Sequence, residues 1–243
     1  MGVVYDKAVR AVICTASPPL AERLQAMLLH WACRECVTLS AAQTDSCSLL
    51  ERESAQLVIL DMDSVNPPEE TPLHNSDAGL IVISGDAGRV IRSYRWHPAA
   101  FLKPDFDFRR LADALNACEK NWLCGRLGLE SPYRRRSFQF PLGRIRYVEA
   151  AAHYCLFDQG KQTVRLRFSI DELERLLPGP PFVRCHRSYL VHLDAVTGMN
   201  YTSVVLRGGM RIPLGRTYVR SLREALQAWQ EVEKRYDSFG VDL

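Results

Sequence analysis

Over the first half of the chain, short apolar runs alternate with segments whose apolar positions recur every three to four residues. VRAVICT (9–15) is such a run, and Pro18-Pro19 then opens LAERLQAMLLHWAC, with apolar positions 20, 24, 27, 28 and 31 on one helical face. CVTLSA, LVILDMD (57–63), GLIVISGD (79–86) and AAFLKP (99–104) predict four further strands, with helices around 43–54 and 107–123 between and after them. Five buried-type strands alternating with helices predict an α/β doubly wound parallel sheet. In that architecture ligand chemistry gathers at the carboxyl ends of the strands. Asp61, Ser84 and Lys103 lie there.

After Phe138 the period changes from that of a helix to that of a strand. Runs at 138–142, 144–149, 153–158 and 162–168 predict strands, the last two joined by a Gln-Gly turn. SIDELERLLPG predicts one helix: Ser169 caps it, acidic residues fill its first turn, 170, 173, 176 and 177 form its stripe, and Pro-Gly stops it. FVRCHRSYLVHLDAV (182–196) alternates as one long strand, a Gly-Gly hairpin follows within GMNYTSVVLRGGMRIPLGRTY, and 216–236 predicts a terminal amphipathic helix. The second half is therefore mostly β, elongated, with one or two helices. So little helix excludes an ordinary helix-turn-helix reader.

Charge sharpens this division. Residues 1–120 carry net −4, residues 121–136 net +3 and residues 137–243 net +4, the pattern of a polyanion-binding module joined to a non-binding one. The Gly, Ser and Pro content of NWLCGRLGLESPYRRRSF, with Arg134, Arg135 and Arg136, places the join there. The expected domains are 8–120, a linker at 121–136, and 137–243 including the terminal helix. Several of the eight cysteines lie in apolar runs where a free thiol acts as a small hydrophobe, and no secretory signal or run of eighteen apolar residues is present. A soluble, reduced, cytoplasmic protein without membrane attachment is expected.

Residues 8–120 resemble a response-regulator receiver domain through Asp61, Ser84, Lys103 and Pro104. The resemblance implies that Asp61 is the phosphoryl acceptor, contacted by Ser84 and Lys103, that Lys103-Pro104 is cis, and that a histidine kinase or another protein supplies the input. The departures point the other way. Where a receiver carries an acidic pair after its first strand this chain reads Thr15-Ala16-Ser17-Pro18, and Ala100 replaces a switching aromatic. Phosphoryl transfer to a carboxylate needs magnesium to neutralise converging anions, so a pseudo-receiver with no cofactor is expected, Asp63 being at most a partial ligand. Conventional phosphorylation of Asp61 is the alternative.

FVRCHRSYLVHLDAV, with RIRYVEAAAHY and the SIDELERLLP helix before it and PLGRTYVRSL after it, is similar to the LytTR DNA-binding domain over about residues 137–225. The resemblance implies a dimer that inserts loops and strand ends into successive major grooves of double-stranded DNA at direct repeats. It places the base-reaching positions on His153, Arg187 and Arg216, and departs from the family at His192, where an asparagine is usual. The chemistry agrees: arginine's planar fork grips guanine O6 and N7, and neutral histidine donates to or accepts from a base edge. Arg184, Arg207, Arg211 and Arg220 are expected as phosphate contacts that set register, and His186 as a supporting residue. The whole reads as a non-enzymatic, two-component type transcription regulator acting as a homodimer.

Three other readings use the same residues. Cys33 and Cys36 have the spacing of a redox pair, though no second pair completes a zinc site. His153, His186, His192 and Asp194 suggest a nuclease but lack metal-ligand spacing. The basic strands could instead hold a protein or RNA partner, yet Tyr147, Tyr154 and Tyr189 form no recognisable stacking pattern.

Overall fold

A computed structural model describes residues 4–5, 9–46, 55–67, 78–118, 126–130, 137–177 and 179–238. The chain forms two compact units, one built on Lys7–Ala32 and Val37–Cys124, the other chiefly on Gly125–Val232. The chain starts with β1 (Val4–Tyr5). In the first unit follow β2 (Val9–Cys14), α1 (Pro18–Glu35), β3 (Leu39–Thr44), β4 (Leu57–Asp61), β5 (Gly79–Ile83), α2 (Ala87–Ser93), β6 (Ala100–Leu102) and α3 (Phe108–Ala117).

The five strands from β2 to β6 are all parallel, in the order β3-β2-β4-β5-β6. Both faces of the central strands are covered, which is why they read as unbroken apolar runs. Ile13, Ile59, Ile81 and Ile83 pack under Leu24, Trp31, Leu111 and Leu115 from α1 and α3, while Val12, Val58, Leu60 and Val82 pack with Trp96 on the other face. The order in which strands are added reverses between β2 and β4, which puts Thr15 and Asp61 at the switch point. The expected helix around 43–54 begins instead as strand, since Gln43 and Thr44 finish β3, and 47–54 lie outside the described residues. The Lys103–Pro104 peptide is trans, unlike the family expectation.

In the second unit β7 (Arg126–Glu130) pairs with β1 and with β8 (Ser137–Pro141). Part of the expected linker is thus a strand, its Leu-Gly-Leu alternation having been masked by the flanking charges. The expected linker cations Arg134, Arg135 and Arg136 lie outside the described residues. Then come β9 (Tyr147–Ala151), β10 (Tyr154–Asp158), β11 (Thr163–Leu166), α4 (Ile170–Leu176), β12 (Phe182–His186), β13 (Tyr189–His192), β14 (Val196–Met199), β15 (Ser203–Leu206), β16 (Arg211–Pro213) and α5 (Val219–Ser238).

An antiparallel sheet β11-β10-β9-β13-β12 divides two apolar clusters, and alternate residues face each. Val148, Phe157, Phe182 and Leu190 pack with Ile170 and Leu173 of α4; Tyr147, Val183 and Val191 pack with Val204 and Ile212 of the sheet β14-β15-β16 and with Leu222, Leu226 and Trp229 of α5. Ser169 accepts a hydrogen bond from Glu172 N at 3.2 Å, closing the first turn of α4. Ser169→Ala should cost about 1 kcal/mol in chemical denaturation, because one orphan N–H loses its acceptor. A change below a few tenths would mean that the cap adds nothing.

The largest departure from the sequence pattern is at 182–196. The single expected strand is a hairpin, β12 turning at Arg187-Ser188 into β13, with Val183 opposite Val191, His186 opposite Tyr189 and a bulge between Arg184 and His186. None of the usual turn residues Gly, Asn, Asp or Pro marks it, so alternation ran through unbroken.

Candidate functional sites

The first site lies at the carboxyl end of β4. Asp61 is only 4% exposed. Its Oδ2 accepts from Thr15 Oγ1 at 2.7 Å and from Ser64 Oγ at 2.6 Å, and its Oδ1 accepts from Asp63 N at 3.0 Å. Ser64 also accepts from Ala16 N at 2.9 Å, so the loop after β2 closes over the carboxylate. Ser84, expected to face Asp61, donates to Asp63 Oδ1 at 2.7 Å instead, and Gly85 N donates to Asp63 Oδ2 at 2.7 Å. Arg89 stands 3.6 Å from Asp63 and donates to Met62 O. Lys103 is exposed and, among the described residues, makes no ion pair with Asp61. Asp86 caps α2, where N–H donation from Arg89 and Gly88 lowers its pKa.

The paired cysteines differ in setting: Cys33 is exposed and Cys36 buried, both as free thiols, and burial raises the pKa of each. A buried thiol with a raised pKa is a poor nucleophile.

The second site is assembled by three turns of the β unit. Ala152 and His153 form the two-residue turn between β9 and β10, with Ala152 in the left-handed region at φ 54°. Arg187 and Ser188 turn β12 into β13, and Gly215-Arg216 leads from β16 into α5. Main-chain hydrogen bonds hold the turns side by side: Ala150 N donates to Ser188 O at 2.8 Å, and Gly215 N to Cys185 O at 2.9 Å. A β-carbon at Gly215 would lie 2.9 Å from the Tyr218 ring and 3.5 Å from His186, so this approach depends on glycine. His153, Arg187 and Arg216 are all exposed at this end.

Beneath them Tyr189 donates to Glu149 Oε1 at 2.7 Å, and burial followed by that carboxylate pushes the phenol up to about 12, keeping it protonated. His186 accepts from Ser188 N through Nδ1 at 3.2 Å, the supporting place expected for it.

Two residues at this end were missed from sequence. Arg165 lies over the Tyr154 ring at 3.7 Å, next to His153; the alternation of VRLRF, which puts Arg165 and Arg167 on one face, was the available signal. Tyr201 is 78% exposed in the Asn200–Thr202 turn, which Leu214 N ties down by donating to Thr202 O at 2.9 Å. Nothing in its local sequence set it apart.

Other expected contacts lie elsewhere. Arg211 starts β16 beside the Gly208-Gly209 turn, five residues from Arg216, which is roughly 16 Å along an extended chain. Arg207 at that same end donates to Asp194 O at 2.8 Å and Oδ2 at 3.2 Å. Arg220 pairs with Glu224 at 2.8 Å on α5. The Arg184 side chain is only 9% exposed, in ion pairs with Asp171 at 2.7 Å and Glu174 at 2.6 Å, so it is not presented to a phosphate as expected. No helix among the described residues is long and apolar enough to cross a membrane.

Comparisons with known proteins now bear on both units. Residues 135–227 match the family model of the LytTr DNA-binding domain. An uncharacterised response regulatory protein of Yersinia pestis is 24% identical over 234 residues, 89% of this chain and 98% of the relative. The transcriptional regulatory protein BtsR of Escherichia coli is 37% identical over 51 residues, 19% of this chain and 21% of that protein. Among solved structures, a LytTr DNA-binding domain from Bacillus cereus is 24% identical with a TM-score of 0.35, covering 40% of this chain and 94% of that one. A CheY-like response regulator from Mesorhizobium loti is 16% identical with a TM-score of 0.39, covering 46% and 99%.

Residues 135–227 thus match the LytTr DNA-binding domain, and over 89% of its length the chain is similar to a response regulatory protein.

Proposed function

We propose that this transcription regulator reads duplex DNA through His153, Arg187 and Arg216, acts in the cytoplasm as a homodimer on direct repeats, and does so without magnesium-dependent phosphorylation of Asp61. The observation that carries the DNA reading is the pair of main-chain hydrogen bonds that bring those three turns together although 63 residues separate the first from the last. Exposed arginine and histidine on adjoining turns suit base edges in a major groove. A dimer would make its second half-site effectively intramolecular. Arg165 and Tyr201, at the same end, are further candidates for backbone contacts.

The receiver reading rests on the hydroxyl cage of Asp61. Magnesium takes a near-octahedral set of hard oxygens, usually carboxylates and waters. Here Thr15 stands where receivers carry an acidic residue, and Asp61 Oδ2 already accepts two hydroxyl protons, so the residues do not fit the ion. The Asp63 carboxylate, two residues further on, is turned to Ser84 and Gly85.

Genome-wide recovery of bound fragments tests the first part: enrichment of a repeated motif, with affinity falling steeply as salt rises, is expected. Binding indifferent to sequence would end it. For the second part, incubation with magnesium and acetyl phosphate followed by intact-mass measurement should leave the protein unmodified. An acid-labile phosphoryl adduct on Asp61 would restore the conventional mechanism.

A further inference from the structure

Arg184 has an unusual set of partners for a residue on a strand. Its Nε donates to His186 O at 2.9 Å and its Nη2 to Arg187 O at 2.6 Å, while Nη1 bridges Asp171 Oδ1 at 2.7 Å and Glu174 Oε2 at 2.6 Å. The carbonyls belong to the turn that carries Arg187; the carboxylates belong to α4. One planar guanidinium therefore joins a helix to two peptide carbonyls of a tight turn that has no glycine, asparagine or proline of its own. Carbonyl oxygens at a turn need donors, and arginine's rigid fork supplies several at fixed angles. Lysine, a single point charge on a flexible stem, cannot span the four oxygens in the same way.

We propose that Arg184 is a positioning residue for DNA recognition: clamped by Asp171 and Glu174, it fixes the backbone of the Arg187-Ser188 turn and so the direction in which Arg187 is presented. This rests on the DNA reading of Arg187 and deepens it. It also gives two acidic residues of α4 a function in a basic domain, since Asp171 and Glu174 orient Arg184 rather than meeting DNA.

A phosphate contact and a positioning residue leave different signatures. Each neutralised phosphate contributes about 0.9 to the slope of log affinity against log salt. A residue that only aims Arg187 contributes nothing to that slope, but its loss lowers the preference for the cognate duplex. Full-length wild type, Arg184→Lys, Arg184→Gln and the double variant Asp171→Asn with Glu174→Gln should be titrated with cognate and scrambled duplexes across a salt series. Amide exchange at Ser188 should be followed in the same proteins.

The expected result is a drop of about tenfold or more in the ratio of cognate to scrambled affinity for every variant, on the scale of one lost base contact, with the salt slope unchanged. Ser188 exchange should also quicken. An unchanged ratio overturns the proposal, and so does a slope reduced by about one unit in Arg184→Gln, which removes the charge that lysine keeps. So does an unchanged or improved ratio in the double variant, which keeps Arg184 and both side-chain volumes. If the wild type itself does not discriminate between duplexes, the DNA reading of Arg187 fails. Ser188 exchange then still decides whether Arg184 holds the turn, because unaltered exchange in Arg184→Lys would remove the clamp as well.

Discussion

Arg187→Ala should weaken binding to a cognate duplex by about 1–3 kcal/mol, about 5- to 150-fold, while binding to unrelated duplex changes little. The residue is exposed at the tip of a hairpin turn whose two neighbours carry His153 and Arg216. A bidentate arginine is worth this much because its two parallel N–H groups match guanine O6 and N7 and no other base. Arg187→Lys should recover part of the general affinity and little of the preference, since an ammonium attracts DNA but does not present a fork. Anisotropy titrations with a cognate and a point-changed duplex provide the measurement. An equal loss on every sequence, together with a shallower salt slope, would reassign Arg187 to the phosphate backbone.

Phe157→Ala should destabilise the β unit by about 3–5 kcal/mol, the cost of an unfilled aromatic-sized cavity in a packed core. Phe157 is fully buried on β10, opposite Val148 of β9 and Val164 of β11, beneath Leu173 of α4. It has no place among the exposed turn residues, so its effect should come through folding. Denaturant unfolding followed by circular dichroism should show the transition at lower denaturant, and Phe157→Leu should recover most of the loss because it refills the volume. A shift worth less than about 1 kcal/mol would mean that the site collapses around the smaller residue.

These two experiments touch features that were unequally legible in the sequence. The parallel sheet could be read strand by strand, because strands buried on both faces are written as continuous apolar runs such as LVIL and LIVI. The cap and apolar stripe of α4 were equally plain. His153, Arg187 and Arg216 were named from their motifs, and the structure places them together.

What failed to show was pairing between residues distant in the chain. A turn with no glycine, asparagine, aspartate or proline left 182–196 looking like one strand, because the donors that stabilise it come from Arg184 and the acceptors that hold Arg184 come from a helix 10 to 13 residues earlier. Arg184 was accordingly assigned to phosphate. Ser84 was assigned to Asp61 for a similar reason: family position predicts a neighbourhood, but two carboxylates two residues apart compete for one hydroxyl, and Asp63 is the one that receives it.

The three turns that carry His153, Arg187 and Arg216 are tied to one another by peptide groups, through Ala150 to Ser188 and Gly215 to Cys185. A peptide tether is blind to the side chains it carries. Residues 153, 187 and 216 can therefore be exchanged one at a time without rebuilding the frame, whereas Gly215, with no room for a β-carbon, cannot. On the proposed DNA reading the frame is a holder with three replaceable letters, and new binding preferences are open to substitution at those positions while the fold that presents them stays as it is.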